Sequence, residues 1–146
     1  MKRNIAFRAK RLSDGAWATG DFVSLYDDKG RRSHRIYTGY AESDCDELYP
    51  DWYEVDPDTV GQYTGMADGK GVKIFEGDIV RFNRIDALGW TRQRIGRILY
   101  AESVPVFYIL ATTGDEWDWC DCHDIELIGN VFDNPELLEG QEGPEP

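Results

Sequence analysis

Residues 60–80 read VGQYTGMADGKGVKIFEGDIV, with glycines at Gly61, Gly65, Gly69, Gly71 and Gly77 and lysines at Lys70 and Lys73. Such a stretch either wraps a phosphate or joins two strands. A phosphate loop needs a Gly, four residues and then Gly-Lys-Ser/Thr, because backbone N–H groups curl round the phosphates while the hydroxyl reaches the metal. Here Gly65 is followed by three residues before Gly69-Lys70, and Gly71 stands where the hydroxyl is required. No helical period follows, which removes the dinucleotide fingerprint as well. As strands the stretch is coherent: GQYTGM, a turn at Asp68-Gly69, the return VKIF, and a second turn at Glu76-Gly77-Asp78 feeding IVRFN. A hairpin is predicted, and with it a binding protein rather than a nucleotide enzyme.

The runs on either side have the same character. NIAFRAKRL, AWATGDFVSLY and RRSHRIYTGY are strand-like and separated by corners at Asp14-Gly15 and Lys29-Gly30, which predicts an antiparallel meander. AESDCDELYPDWYEVDPDTV reads as a polar connection pinned by Tyr49, Trp52 and Tyr53, with Pro50 and Pro57 against a long helix. After Gly77, RQRIGRILYA, PVFYILAT and DIELIGNVFD are further strands with turns at Glu102-Ser103 and Thr113-Gly114-Asp115. The expected fold is all-β: an N-terminal meander and acidic connection over 1–58, a small SH3-like barrel over 59–139, and a disordered acidic tail over 140–146. Asn134-Pro135-Glu136 opens one short helical turn, stopped by Gly140.

Composition narrows the class. The chain has 146 residues, enough for one domain or two small lobes, and five Trp, eight Tyr and six Phe supply large buried areas. It lacks an apolar run of membrane-spanning length or a signal peptide, and three cysteines are too few for a disulfide scaffold, so a soluble cytoplasmic protein is expected. The net charge of −12 is unevenly spread: residues 1–40 hold nine basic groups against four acidic, residues 41–58 only acids, and the segment after Gly114 eleven acids with no Lys or Arg. Solvated faces account for this, as does contact between the basic segment of one subunit and the acidic segment of the next.

VDPDTVGQYTGMADGKGVKIFEGDIV, with Asp58 where Glu is usual, closely resembles the signature of the YopX-like proteins of phages and prophages. IAFRAKRLSDGAWATGDF is similar to that family's opening, and IGNVFDNPELL to its closing block; EWDWCDCHDIELI is not part of the pattern. The resemblance implies a mostly β homo-oligomer from mobile elements and carries over no catalytic residue and no cofactor. The matched positions Gly61, Gly65, Gly77, Asp78, Gly129, Asn134 and Pro135 are structural, with Gly61, Gly65, Gly77 and Asp78 at turns and Asn134-Pro135 at the last helix.

Three groups of residues raise chemistry. Cys120, Cys122 and His123, with Cys45, are zinc-ligand types, yet one residue between the cysteines is shorter than structural sites favour, and core packing is the alternative. A Cys–His pair fails because strand neighbours point to opposite faces. RFNRIDALGWTRQRIGR gathers Arg81, Arg84, Arg92 and Arg94 around Trp90, the ingredients for single-stranded nucleic acid, with pairing to the acids of 114–126 as the plain alternative. The acidic strips could also imitate a nucleic-acid backbone and occupy a host protein's basic groove. The function expected is a non-enzymatic, homo-oligomeric interaction module with a protein partner. Nucleic-acid binding through the Arg/Trp loop is its rival, and the acidic decoy a second.

Overall fold

The computed structural model describes residues 2–42 and 48–139, which divide into two units, Met1–Tyr63 and Thr64–Pro146. The acidic tail expected at 140–146 lies outside the described residues.

Unit 1 contains β1 (Phe7–Lys10), β2 (Trp17–Tyr26), β3 (Arg32–Glu42) and β4 (Leu48–Glu54), then a 3-10 turn at Pro57–Thr59 and the start of β5 (Gly61–Ala67). The hydrogen-bonded order is β4-β3-β2-β1-β5. Strand β2 changes partner along its length: Trp17 to Gly20 pair with β1, whereas Asp21 to Tyr26 pair with β3. Alternation puts Ala9, Ala18, Ile36 and Val55 on one face, where they are buried and packed by Phe7, Phe22, Tyr53 and Val60. The polar connection is corrected here, because residues 48–54 form a strand on β3. Pro50 fits since β4 is the edge strand and its missing N–H is not needed by a further neighbour.

Unit 2 takes the rest of β5, β6 (Lys73–Phe75), β7 (Asp78–Ile85), β8 (Thr91–Ala101), β9 (Val106–Ala111), β10 (Glu116–Trp117) and β11 (His123–Asn130). A 3-10 turn at Trp119–Asp121 precedes β11 and another at Pro135–Leu138 ends the described chain. The five-stranded sheet has the order β10-β9-β8-β7-β11, so the last strand lies beside the first. Its core is Ile74, Val80, Phe82, Ile98, Ile109, Ala111 and Cys122, with Trp117, Trp119, Ile125 and Leu127 packed against it. Fully burying each large apolar side chain contributes about 1.5–3 kcal/mol. Phe82 and the three isoleucines, all 0% exposed, are therefore the main anchors of this sheet.

The opening stretch is a hairpin, and its corner recurs. Asp68 accepts the N–H groups of Lys70 and Val72 on Oδ1, its own N–H donates to Val72 O, and the N–H of Gly71 donates to Asp68 O. Gly71, at φ +83°, is the glycine that turns the chain, not Gly69 as the sequence reading had it. Asp27 with Lys29, Gly30 and Arg31 repeats this pattern, as does Asp86 with Leu88, Gly89 and Trp90. Three hairpins thus share an Asp-x-x-Gly corner in which a carboxylate satisfies N–H groups two and four residues on.

Those donors hold the three carboxyls below their ordinary value of 3.8, led by the N–H of Arg31 on Asp27, of Val72 on Asp68 and of Trp90 on Asp86. Because the folded-state values are depressed, the stability contributed is present in full above about pH 5 and is lost as pH falls through 3.8 and the lower folded values. The thermal midpoint should accordingly be flat from neutral pH down to about pH 5 and then drop. In Asp68→Asn the midpoint at neutral pH should be lower and the acid drop smaller; an unchanged acid drop would remove the corners as its source.

The signature positions find local reasons, some not the expected ones. Gly77 turns at φ +89° and Asp78 Oδ2 accepts the N–H of Phe75 at 2.8 Å, as anticipated. Gly61 and Gly65 sit within β5 rather than at turns. A Cβ at Gly129 would come 2.6 Å from Asn134 Oδ1, so Gly129 makes room for the closing segment. Asn134 does not cap the turn that Pro135 begins; its Oδ1 accepts the N–H of Asn130.

Candidate functional site

The hairpin between β7 and β8 was expected to present Arg81, Arg84, Trp90, Arg92 and Arg94 together. Cross-strand register separates them. Phe82 pairs with Arg94 and Arg84 with Arg92, which puts Arg84, Arg92 and Arg94 on the face of Phe82 and Ile98. Arg81 falls on the other face, where its Nη1 donates to Glu126 Oε2 at 3.2 Å, an acid of the 114–126 segment.

The remaining arginines are engaged within unit 2. Arg84 lies over the Trp117 ring at 4.3 Å, Arg92 Nε donates to Asp86 Oδ2, and Arg94 is 9% exposed with Nη1 donating to Gln93 O. The five residues therefore do not form one surface. What the hairpin does expose is apolar: Trp90 at 67%, Leu88 at 83% and Ile85 at 55%.

The cysteine and histidine group is also divided. Cys120 is exposed in the 3-10 turn, whereas Cys122 is buried, with its thiol directed to Asp118 O at 3.4 Å. The expectation that both are core holds only for Cys122, since the pair does not lie in a strand. Burial, reinforced by Asp121, Cys120 and Asp118, pushes the Cys122 thiol up to about 12, so at neutral pH it stays protonated and is a poor nucleophile or ligand. His123 is exposed, Cys45 lies outside the described residues, and among the described residues no group of three His, Cys, Asp or Glu is placed to hold a metal ion. The acids of 41–58 form no described strip: Asp51 and Glu54 are on β4, Asp56 accepts the N–H of Asp58, and residues 43–47 are outside the described range.

A different surface is concave. At the end of unit 2 where the β8–β9 turn meets β10 and the following 3-10 turn, the residues lining a cleft of about 870 Å³ include Tyr100, Tyr108 and Trp117, with Tyr100 and Trp117 on one face of the sheet by register and Tyr108 on the other. Val104 and Val106, 58% and 39% exposed, add apolar wall. Around the rings stand Glu102, Glu116, Asp118 and Asp121, and no Lys or Arg is among the lining residues.

Phe107 meets the Tyr100 ring edge-on at 5.2 Å, while Trp117 packs against the core and already carries the Arg84 guanidinium over its ring. Aromatic faces and carboxylates both attract cations, the first through the ring quadrupole and the second by charge. Sequence reading missed this site because Glu102 and Asp118 are brought together only by the β8–β9–β10 register, in which Trp117 pairs with Ile109. Clustered acids after Gly114 were the visible half of the signal.

Among the described residues no helix is long and apolar enough to cross a membrane. A family model described as YopX protein matches residues 6–139. Among solved structures, the crystal structure of protein EF1440 from Enterococcus faecalis is similar at 26% identity and a TM-score of 0.56, covering 94% of this chain and 100% of that one. No curated protein matches the chain.

Proposed function

This chain belongs to the YopX family, and from that premise we propose that it is a non-enzymatic interaction module whose unit 2 grips a cationic segment of another protein. The observation that carries the reading is the cleft of Tyr100, Tyr108 and Trp117 ringed by Glu102, Glu116, Asp118 and Asp121. Arginine or lysine can lay its aliphatic stem and charge on the ring of Tyr100, which is 44% exposed, while the carboxylates accept its N–H groups. The strand order, with β11 beside β7 and a 3-10 turn before β11, supports reading this sheet as an SH3-like barrel.

The nine basic groups of residues 1–40 make a second copy of the chain one source of such a segment, in keeping with a cytoplasmic homo-oligomer. Light scattering tests that part: a mass above the monomer that falls with salt is expected, and a monomer at all concentrations contradicts it. For the cleft, a short polyarginine peptide should quench the tryptophan emission and bind more weakly as salt rises. Asp118→Asn with Asp121→Asn should weaken it about five-fold, the sum of two exposed charge contacts. Equal affinity in the double variant, with the fold intact by circular dichroism, would refute the assignment.

A further inference from the structure

Five of the nine basic residues within 1–40 lie over an aromatic ring of unit 1: Arg8 and Lys10 over Trp17, Arg11 over Tyr53, Arg32 over Tyr26 and Arg35 over Trp52. In the 81–97 hairpin, which the sequence nominated for nucleic acid, Arg84 lies over Trp117.

Register shows that two of these groups share a face. Lys10 pairs with Trp17 and Arg8 with Thr19, while Ala9 and Ala18 point the opposite way into the core. Farther along the sheet Asp21 pairs with Tyr37, Val23 with Arg35 and Tyr37 with Trp52, again opposite Phe22 and Ile36. The outer face therefore carries one cation–indole group on β1–β2 and another on β3–β4. Thr19, Asp21 and Val23 between them are exposed, and Trp52 is 39% exposed.

The second group is preorganised. Arg35 donates from Nε to Ser33 Oγ at 3.0 Å and from Nη1 to Tyr37 OH at 3.4 Å, which holds its guanidinium 3.8 Å above Trp52, and Tyr37 stands 6.3 Å from that ring. A guanidinium laid flat on an indole presents one planar face to a base and an edge of N–H donors to a phosphate.

We propose that this outer face of unit 1 is a platform for single-stranded nucleic acid, with Arg8, Lys10 and Arg35 meeting phosphates and Trp52, Tyr37 and Trp17 supplying the surface on which bases stack. An open sheet face bearing aromatics is how such strands are held without sequence preference. Asp21 and Glu54 lie on the same face and leave it a surplus of one positive charge, counting three cations against two acids. Binding is therefore of low affinity and strongest at low salt. It is separate from the cleft in unit 2, and its fate does not depend on that cleft.

Fluorescence anisotropy of the full chain with labelled oligo-dT and oligo-U tests the platform. Three phosphate contacts predict a slope of log K against log salt of about −2 for either strand, and a preference between them would show whether ribose hydroxyls are read. Arg35→Gln and Arg8→Gln should each flatten the slope by about 0.7, and Trp52→Leu should weaken binding by about five-fold or more. Trp90→Ala, at the hairpin, should leave it unchanged. Absence of binding at low salt, loss through Trp90→Ala with the unit 1 variants silent, or equal affinity for base-free polyphosphate would each overturn the proposal.

Discussion

Gly20→Ala should lower the stability of unit 1 by about 3 kcal/mol or more, since an inserted methyl with no room to relax costs this much. A Cβ built at Gly20 would lie 2.0 Å from the carbonyl oxygen of Tyr37 and 3.3 Å from the Cα of Thr38. Both are backbone atoms and no rotamer change relieves them. Gly20 is also where β2 leaves β1 for β3, so the close approach belongs to the corner that brings Ala18 and Ile36 into one core. Chemical denaturation of the full chain should show an early transition in Gly20→Ala, with the amide signals of residues 7–60 lost before those of 78–130. A single transition at the wild-type midpoint would mean that the β2 corner has slack that its geometry denies.

Asp78→Ala should cost unit 2 about 3 kcal/mol. Asp78 is 1% exposed and accepts the N–H of Phe75, itself buried at 7% exposure, at 2.8 Å. Losing this buried charged acceptor, beside Ile74 and Ile79, removes a contact worth about 1.5–3 kcal/mol. The protected thiol of Cys122 reports the effect directly. With Cys45 and Cys120 replaced by Ser, its modification in Asp78→Ala should proceed about a hundred-fold faster at the same denaturant concentration, as that loss of stability implies. Modification at the wild-type rate would show that the Phe75 N–H finds another partner.

The parts of this molecule legible in its sequence are those decided locally. The hairpin over 60–80 followed from turn chemistry, although Gly71 rather than Gly69 takes the positive φ because the carboxylate of Asp68 places the corner three residues on. Asp-x-x-Gly occurs at 27–30, 58–61, 68–71 and 86–89, so the spacing covers all three corners and also marks the 3-10 turn before β5, which is no hairpin. Strand β4 was hidden because Pro50 and its acids argue for a loop, and only an edge position makes them tolerable.

The sites were less legible because they depend on register. Arginines close in sequence at 81–94 were dispersed over two faces, since a strand alternates every residue. Conversely, Arg35 and Trp52 are seventeen residues apart and meet only through the pairing of β3 with β4. The acids after Gly114 were visible, but Tyr100 and Tyr108, which line the same cleft, come from β8 and β9.

The central claim is that unit 2 receives a cationic segment in that cleft. Titration of the isotope-labelled full chain with the polyarginine peptide, followed by amide chemical shifts, tests it most directly. Shifts should concentrate at 100–108 and 116–121, saturate together and vanish with a polyglutamate peptide of equal length. Shifts spread over all acidic segments alike, or centred on Trp90 and its neighbours, would contradict the account.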